Sequence, residues 1–259
     1  MELEKILFKL LSLKGASSLY QPLYGFTISE PQLNQDVSLN AKSFEAMVMR
    51  NMTAKIEKFN NRFELIKNFI PVNSNCLDYG CNIGYNAFLI SEIEGVSVTG
   101  VDKDKKTIPI AELLLEYNSL ENINFVRDDC SKYLEWKEDG FYDCIICLLV
   151  GHHILNAFSR NLPQSYSELD SISDESKKCL KLFFDLISIL KKKSKRFIIQ
   201  LRLGVNGKHF TEKKMDYSSY KDDFFIDYLN DYFSFSNIIR VPATPYSYAS
   251  PHPLYIFDS

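Results

Sequence analysis

A doubly wound α/β fold, with a mainly parallel sheet of about seven strands, is predicted by three observations. Short apolar runs alternate with amphipathic stretches from residue 71 to residue 201, which is the pattern of successive strand–helix units. One run, Asn75-Cys-Leu-Asp-Tyr-Gly-Cys-Asn-Ile-Gly-Tyr-Asn-Ala-Phe-Leu-Ile90, passes through a glycine turn straight into a helical pattern. The tail then breaks the alternation. Two apolar runs at 233–241 and 252–258, joined by a Pro- and Tyr-rich loop, read as a closing antiparallel pair.

Taken in order, Leu3, Ile6, Leu7, Leu10 and Leu11 recur at helical spacing and predict an amphipathic first helix. Residues 15–35 carry Pro22, Gly25 and Pro31 with Tyr20, Tyr24 and Phe26, an irregular segment suited to a lid anchored by rings. A helical region follows over 37–69 and stops before Pro71. Strands are expected at 75–78, 97–102, 123–127, 142–149 and 196–201, with helices at 85–93, 104–118, 130–136, 174–192 and 220–232. The polar stretch 156–173 is read as a loop that could wall a substrate site. Residues 1–70 therefore form an N-terminal helical and lid segment packed on a core of 71–259, one structural domain in all.

Composition narrows the class. The chain has 259 residues, 46% of them apolar and 24% charged, ordinary values for a soluble globular protein. A formal net charge of -3 argues against nucleic acid as a partner. The basic run from Lys191 to Arg196 sits at a helix end, where cations complement the dipole and stay solvated. Cysteines 76, 81, 130, 144, 147 and 179 show no disulfide framework and read as reduced residues of a cytoplasmic protein. Cys144 and Cys147 lie three apart in a strand and point to opposite faces, so no metal site is expected. No apolar stretch is long enough to span a bilayer. The first helix leaves room for a peripheral place at the inner face of a membrane, for oligomerisation, or for docking a partner.

The chemistry concentrates in the glycine turn. Gly80 and Gly84 permit backbone angles and approaches that a Cβ would block, and the helix that follows offers free N–H groups to a ligand. Asp102 ends the next strand, 24 residues beyond Asp78, where an acid grips a ribose through its hydroxyls. The turn Gly80-Cys81-Asn82-Ile83-Gly84 lacks the Gly-x-Gly-x-x-Gly spacing of a pyrophosphate binder. Asn82 stands at the middle position, and asparagine tolerates the left-handed angles needed there. The strand over 142–149 runs into His152 and His153 at the carboxyl edge of the sheet, where ligands of open α/β sheets bind. Either histidine could act as a general base toward a hydroxyl acceptor.

Together these residues resemble the motifs of class I S-adenosylmethionine-dependent methyltransferases, which have a Rossmann-like sheet with an antiparallel last strand. The resemblance implies that Asp78 orients the amino acid end of the cofactor, Gly80 and Gly84 let the backbone lie against it, and Asp102 accepts from both ribose hydroxyls. It places Asp129 against the adenine amino group and the Cys130 backbone N–H against a ring nitrogen. Leu19-Tyr-Gln-Pro-Leu-Tyr-Gly25, Asn61-Arg-Phe-Glu-Leu-Ile66 and Val150-Gly-His-His-Ile154 are further similar to the methyltransferase portion of bacterial O-antigen chain-terminating enzymes. That likeness implies lid residues Tyr20 and Gln21, an Arg62 that pairs with the cofactor carboxylate, and O-methylation of a saccharide or surface-glycan end in polysaccharide biosynthesis. The alternatives are an RNA or small-molecule methyltransferase, or a non-catalytic cofactor-binding subunit.

Overall fold

The computed structural model describes residues 63–105, 107–148, 154–155, 165–201, 223–241 and 254–259. The chain divides into two compact units, Met1–Cys130 and Ser131–Ser259. The expected boundary at residue 70 falls beside the first described residues, so it rests on sequence. Residues 63–66 are helical, a 3-10 turn covers Lys67–Phe69, and the Ile70 N–H closes it on the Lys67 carbonyl at 3.2 Å before Pro71. The first helix and the lid lie outside the described residues.

In the first unit, strands β1 (Asn75–Tyr79), β2 (Ser97–Asp102) and β3 (Ile123–Arg127) are parallel, in the order β3-β2-β1. Register places Asp78 beside Gly100 and Asp102 beside Arg127, so the carboxyl ends of the strands fall together. Helix α1 (Tyr85–Ser91) follows β1 and buries Tyr85, Ala87 and Ile90. Helix α2 (Thr107–Asn118) starts three residues later than expected. Pro109 explains the start, because a proline lacking an N–H is tolerated in the first turn and not deeper. The Thr107 hydroxyl donates to the Asp104 carbonyl at 3.2 Å. Helix α3 (Cys130–Glu135) follows β3 and lies, from Ser131 on, in the second unit.

The second unit holds β4 (Tyr142–Cys147), β5 (Ser194–Gln200), β6 (Asn237–Val241) and β7 (Leu254–Asp258), in the order β4-β5-β7-β6. β4 and β5 are parallel, while β7 runs antiparallel to both β5 and β6. The seven strands make the mixed, doubly wound architecture that the sequence predicts.

Helix α5 (Asp174–Lys193) presents Phe183, Leu186, Ile187 and Leu190 to the interior at helical spacing. The Ser173 hydroxyl accepts the Ser176 N–H, acids fill the first turn and lysines the last, each the favourable end of the dipole. α5 runs directly into β5, which begins two residues earlier than expected. Lys195 and Arg196 are accommodated there by Asp143 at 2.7 Å and Asp258 at 2.5 Å.

Two further differences have physical causes. The alternation at 233–241 looks like one strand, yet helix α6 (Asp223–Phe233) includes Phe233 and the strand begins at Asn237. Ser234 turns left-handed at φ 52, its N–H bonds the Asn230 carbonyl, and Phe235 leaves the helix to pack on Phe197 and Phe257. Within the expected loop lies a short helix, α4 (Tyr166–Asp170). It has no apolar periodicity to announce it. Tyr166 holds it by edge contacts to Phe224 and Tyr228 and by a hydrogen bond to Asp231.

Candidate active site

The turn after β1 is built as its residues dictate. Gly80 and Gly84 take φ of 74° and 86°, and Asn82 takes 54°, so the asparagine supplies the left-handed angle at the middle position. Its side-chain oxygen accepts the Ile83 N–H at 2.8 Å. The Val101 carbonyl organises the turn, accepting the N–H groups of Gly80 at 2.9 Å and Cys81 at 3.0 Å, and the Cys130 thiol at 3.2 Å.

Asp102 is tied in place by both oxygens. Oδ2 accepts the Asn82 N–H and Oδ1 the Asp104 N–H, each at 2.9 Å. A carboxylate has about four lone-pair sites, so this half-buried group keeps capacity for hydroxyl donors. Asp128 donates its N–H to the Asp102 carbonyl, and its side chain receives the Asp129 N–H at 2.7 Å. Asp102, Asp128, Asp129 and Cys130 are thereby gathered beside the glycine turn.

Asp78 lies deeper than its neighbours, 1% exposed at the end of β1. It accepts the Ala87 N–H at 3.1 Å and a hydrogen bond from the Asn86 side chain, fastening β1 to the start of α1. Burial pushes its carboxyl up to about 7, with the Asp102 charge adding to the rise and the two hydrogen bonds opposing it. The Cys130 thiol is pushed up to about 12, and that of Cys81 also upward, chiefly by burial. Both are neutral thiols at physiological pH and poor nucleophiles.

One sequence expectation changes in detail. The space left by the missing Cβ of Gly84 is filled by the protein itself, since a Cβ there would lie 2.4 Å from the Phe125 ring. Gly84 therefore serves packing as well as the turn, while Gly80 is partly exposed. Gly100 was not singled out, although an isolated glycine inside a strand signals a close approach. A Cβ on it would meet Phe125 at 2.7 Å and the Cys81 sulfur at 3.0 Å.

Of the predicted site residues, Asp78, Gly80, Cys81, Asn82, Gly84, Asp102, Asp129 and Cys130 belong to this cluster. Tyr20, Gln21, Arg62, His152 and His153 lie outside the described residues. Cys144 and Cys147 are buried in β4, and all six cysteines are free thiols. In the basic run, Lys191 donates to the Phe233 and Ser234 carbonyls, and Lys193 to the Lys137 carbonyl and Asp139. Lys192 pairs with Asp139 at 3.6 Å. Much of the run thus serves to join elements of the second unit.

Strand-end acids thus stand beside a left-handed glycine turn at the carboxyl ends of β1, β2 and β3. The chain belongs to a methyltransferase family: the model described as "Methyltransferase domain" matches residues 36–175, more than half of its length. It is a class I methyltransferase whose cofactor is S-adenosylmethionine. The solved structure of monomeric WbdD is similar at 16% identity and a TM-score of 0.50, over 99% of this chain and 48% of that one. A SAM-dependent methyltransferase from Aquifex aeolicus is similar at 12% identity and a TM-score of 0.46, over 75% of this chain and 87% of that one. A protein of Mycoplasma mobile, named an uncharacterized RNA methyltransferase, is 34% identical over 84 residues, 32% of this chain and 23% of that protein. The chain thus spans about half the length of WbdD and a quarter of the Mycoplasma protein.

This last relative overturns the expectation against nucleic acid as a partner. Net charge is a sum over the whole chain and does not describe the surface a substrate meets. Among the described residues no helix is long and apolar enough to cross a membrane.

Proposed function

We propose that the chain transfers the methyl group of S-adenosylmethionine to RNA, holding the donor at the carboxyl ends of β1, β2 and β3. The observation that carries the acceptor class is the 34% identity over 84 residues to a protein named an RNA methyltransferase. The cluster fits the donor by the chemistry of its groups. Asp102, with both oxygens oriented by backbone N–H groups, accepts from the ribose hydroxyls. Asp129 and the Cys130 N–H take the adenine edge, Gly80 and Asn82 border the amino acid end, and Asp78 lies beneath it. For Tyr20, Gln21 and Arg62 the assignment to the donor rests on the sequence motifs alone.

When bound, the sulfonium supplies an activated methyl group, and the protein contributes positioning and exclusion of water. His152 and His153 are the candidate bases for an acceptor that must lose a proton.

The saccharide-end acceptor comes second. It stands on the motifs at 19–25, 61–66 and 150–154, most of which fall outside the described residues, and the likeness to WbdD reaches the fold alone. Incubation with methyl-labelled S-adenosylmethionine and separate RNA and polysaccharide fractions decides between them. Label is expected in RNA. Label in polysaccharide with none in RNA would overturn the acceptor assignment and leave the donor site standing.

A further inference from the structure

β6 is the outer strand on one side of the sheet, paired with β7 alone. Its other edge offers backbone N–H and C=O groups in a row, which proteins close by covering the strand, breaking it or loading it with charge. Among the described residues nothing pairs with this edge, and Asn237-Ile-Ile-Arg-Val241 holds no proline and a single charged side chain.

A groove of about 450 Å³ lies between β6 and α6, and no residue of β7 lines it. Ile226, Phe235 and Ile238 give it apolar surface, while Asp223, Asp227 and Arg240 line it with charge. Two carboxylates against one guanidinium leave it net negative. Asp223 and Asp227 are exposed, and neither has an ion-pair partner among the described residues. With Asp231 they recur every fourth residue along α6, which carries no lysine or arginine. Like charges at that spacing work against a helix.

An open strand edge beside a negative, partly apolar groove fits one kind of occupant. An extended segment laid along β6 would continue the ladder, and its alternate side chains would point to the α6 face. A lysine or arginine there lays its apolar stem on Ile226 and Ile238 and brings its charge to Asp223 or Asp227. A second copy pairing β6 with β6 would instead bring two acid stripes together.

We propose that β6 and α6 form a docking site for an extended, basic segment of a partner protein, which adds a strand to the sheet along Asn237–Val241. Backbone pairing supplies the hold, and the acids of α6 select for positive side chains.

The probe is a short labelled peptide alternating lysine with threonine, added to the full chain and followed by fluorescence anisotropy. It should bind, and the same peptide with glutamate for lysine should not. Two N-methylated forms, one blocked at the lysine nitrogens and one at the threonine nitrogens, keep the charge but lose donors from opposite edges of the strand. One form should bind and the other fail. Combining Asp223→Asn with Asp227→Asn, both on exposed side chains, should weaken binding about tenfold, the worth of two exposed charge pairs. The proposal is overturned if the lysine peptide does not bind, if the glutamate peptide binds equally, if the two methylated forms behave alike, or if the double variant keeps full affinity. Sedimentation showing a dimer of the peptide-free chain that Ile239→Asp dissociates would also overturn it, by making a second copy the occupant.

Discussion

The two units of the chain use their residues in opposite ways. The second unit is built around an aromatic core: Phe197 stacks on Phe257 at 4.9 Å, Phe235 closes on both, and Phe183 meets Phe225 at 5.9 Å. Its charges at the strand ends are paired, Arg196 with Asp258 and Lys193 with Asp139. The first unit gathers left-handed backbone at Gly80, Asn82 and Gly84, a buried carboxyl at Asp78, and thiols kept neutral at Cys81 and Cys130. Left-handed backbone at a non-glycine residue and buried ionisable groups cost stability, and they persist where a ligand needs them. The site-like features of the glycine turn and the strand-end acids are concentrated in the first unit.

The largest expected effect lies in the second unit. Phe257→Ala removes a fully buried ring from the aromatic core and should cost about 3–5 kcal/mol in denaturant unfolding. Donor affinity of the protein that remains folded should not change. A large loss of affinity at unchanged stability would break the contrast.

Next comes a substitution expected to stabilise. Below about pH 4 the Asp78 carboxyl is protonated in both folded and unfolded chains, so its burial costs nothing. As pH rises toward about 7 the unfolded chain ionises while the folded one does not, and folding stability falls. The loss is complete above that pH. With a folded value of about 7 against 3.8, the penalty reaches up to about 4 kcal/mol. Asp78→Asn should therefore be more stable than wild type at pH 8, match it near pH 4, and bind S-adenosylmethionine more weakly. A less stable variant at pH 8 would show that Asp78 is there for the fold alone.

Gly84→Ala should cost about 1–3 kcal/mol, from a left-handed φ and contact with the Phe125 ring. It should weaken donor binding by displacing the turn. Thermal melts with and without S-adenosylhomocysteine separate the two effects, and an unshifted melting temperature would contradict the packing role. Smallest is Lys192→Ala, whose ion pair with Asp139 is exposed at both ends. The urea midpoint should scarcely move, because solvent screens an exposed pair, and a clear drop would mean that the pair shapes the second unit.

Much of this contrast was legible in the sequence, because the glycine turn, the strand-end acids and the apolar runs are local signals. The left-handed Asn82 follows from residue type and the strand-end place of Asp102 from the alternation of strands and helices, while Asp129 is singled out by the resemblance to the family's motifs. Other features depend on partners distant in sequence. Helix α4 exists through Tyr166 resting on rings of α6, which no periodicity within 165–171 could reveal. Phe233 and Phe235 alternate like a strand, yet one ends a helix and the other plugs the core. Phe125 fills the space of Gly84 and Gly100 from a third strand, so the packing meaning of those glycines needed the fold. Net charge misled about nucleic acid because it averages over surfaces.

The central claim is that the strand-end acids of the first unit hold the nucleoside of the donor, and Asp102 tests it most directly. Asp102→Ala would also release the N–H groups of Asn82 and Asp104, so Asp102→Asn, which keeps one oxygen as an acceptor, is the cleaner change. Calorimetry should show S-adenosylhomocysteine binding about tenfold to a hundredfold more weakly to the folded Asp102→Asn protein, the loss of a hydrogen bond to a charged acceptor. Unchanged affinity in that folded variant would contradict the assignment.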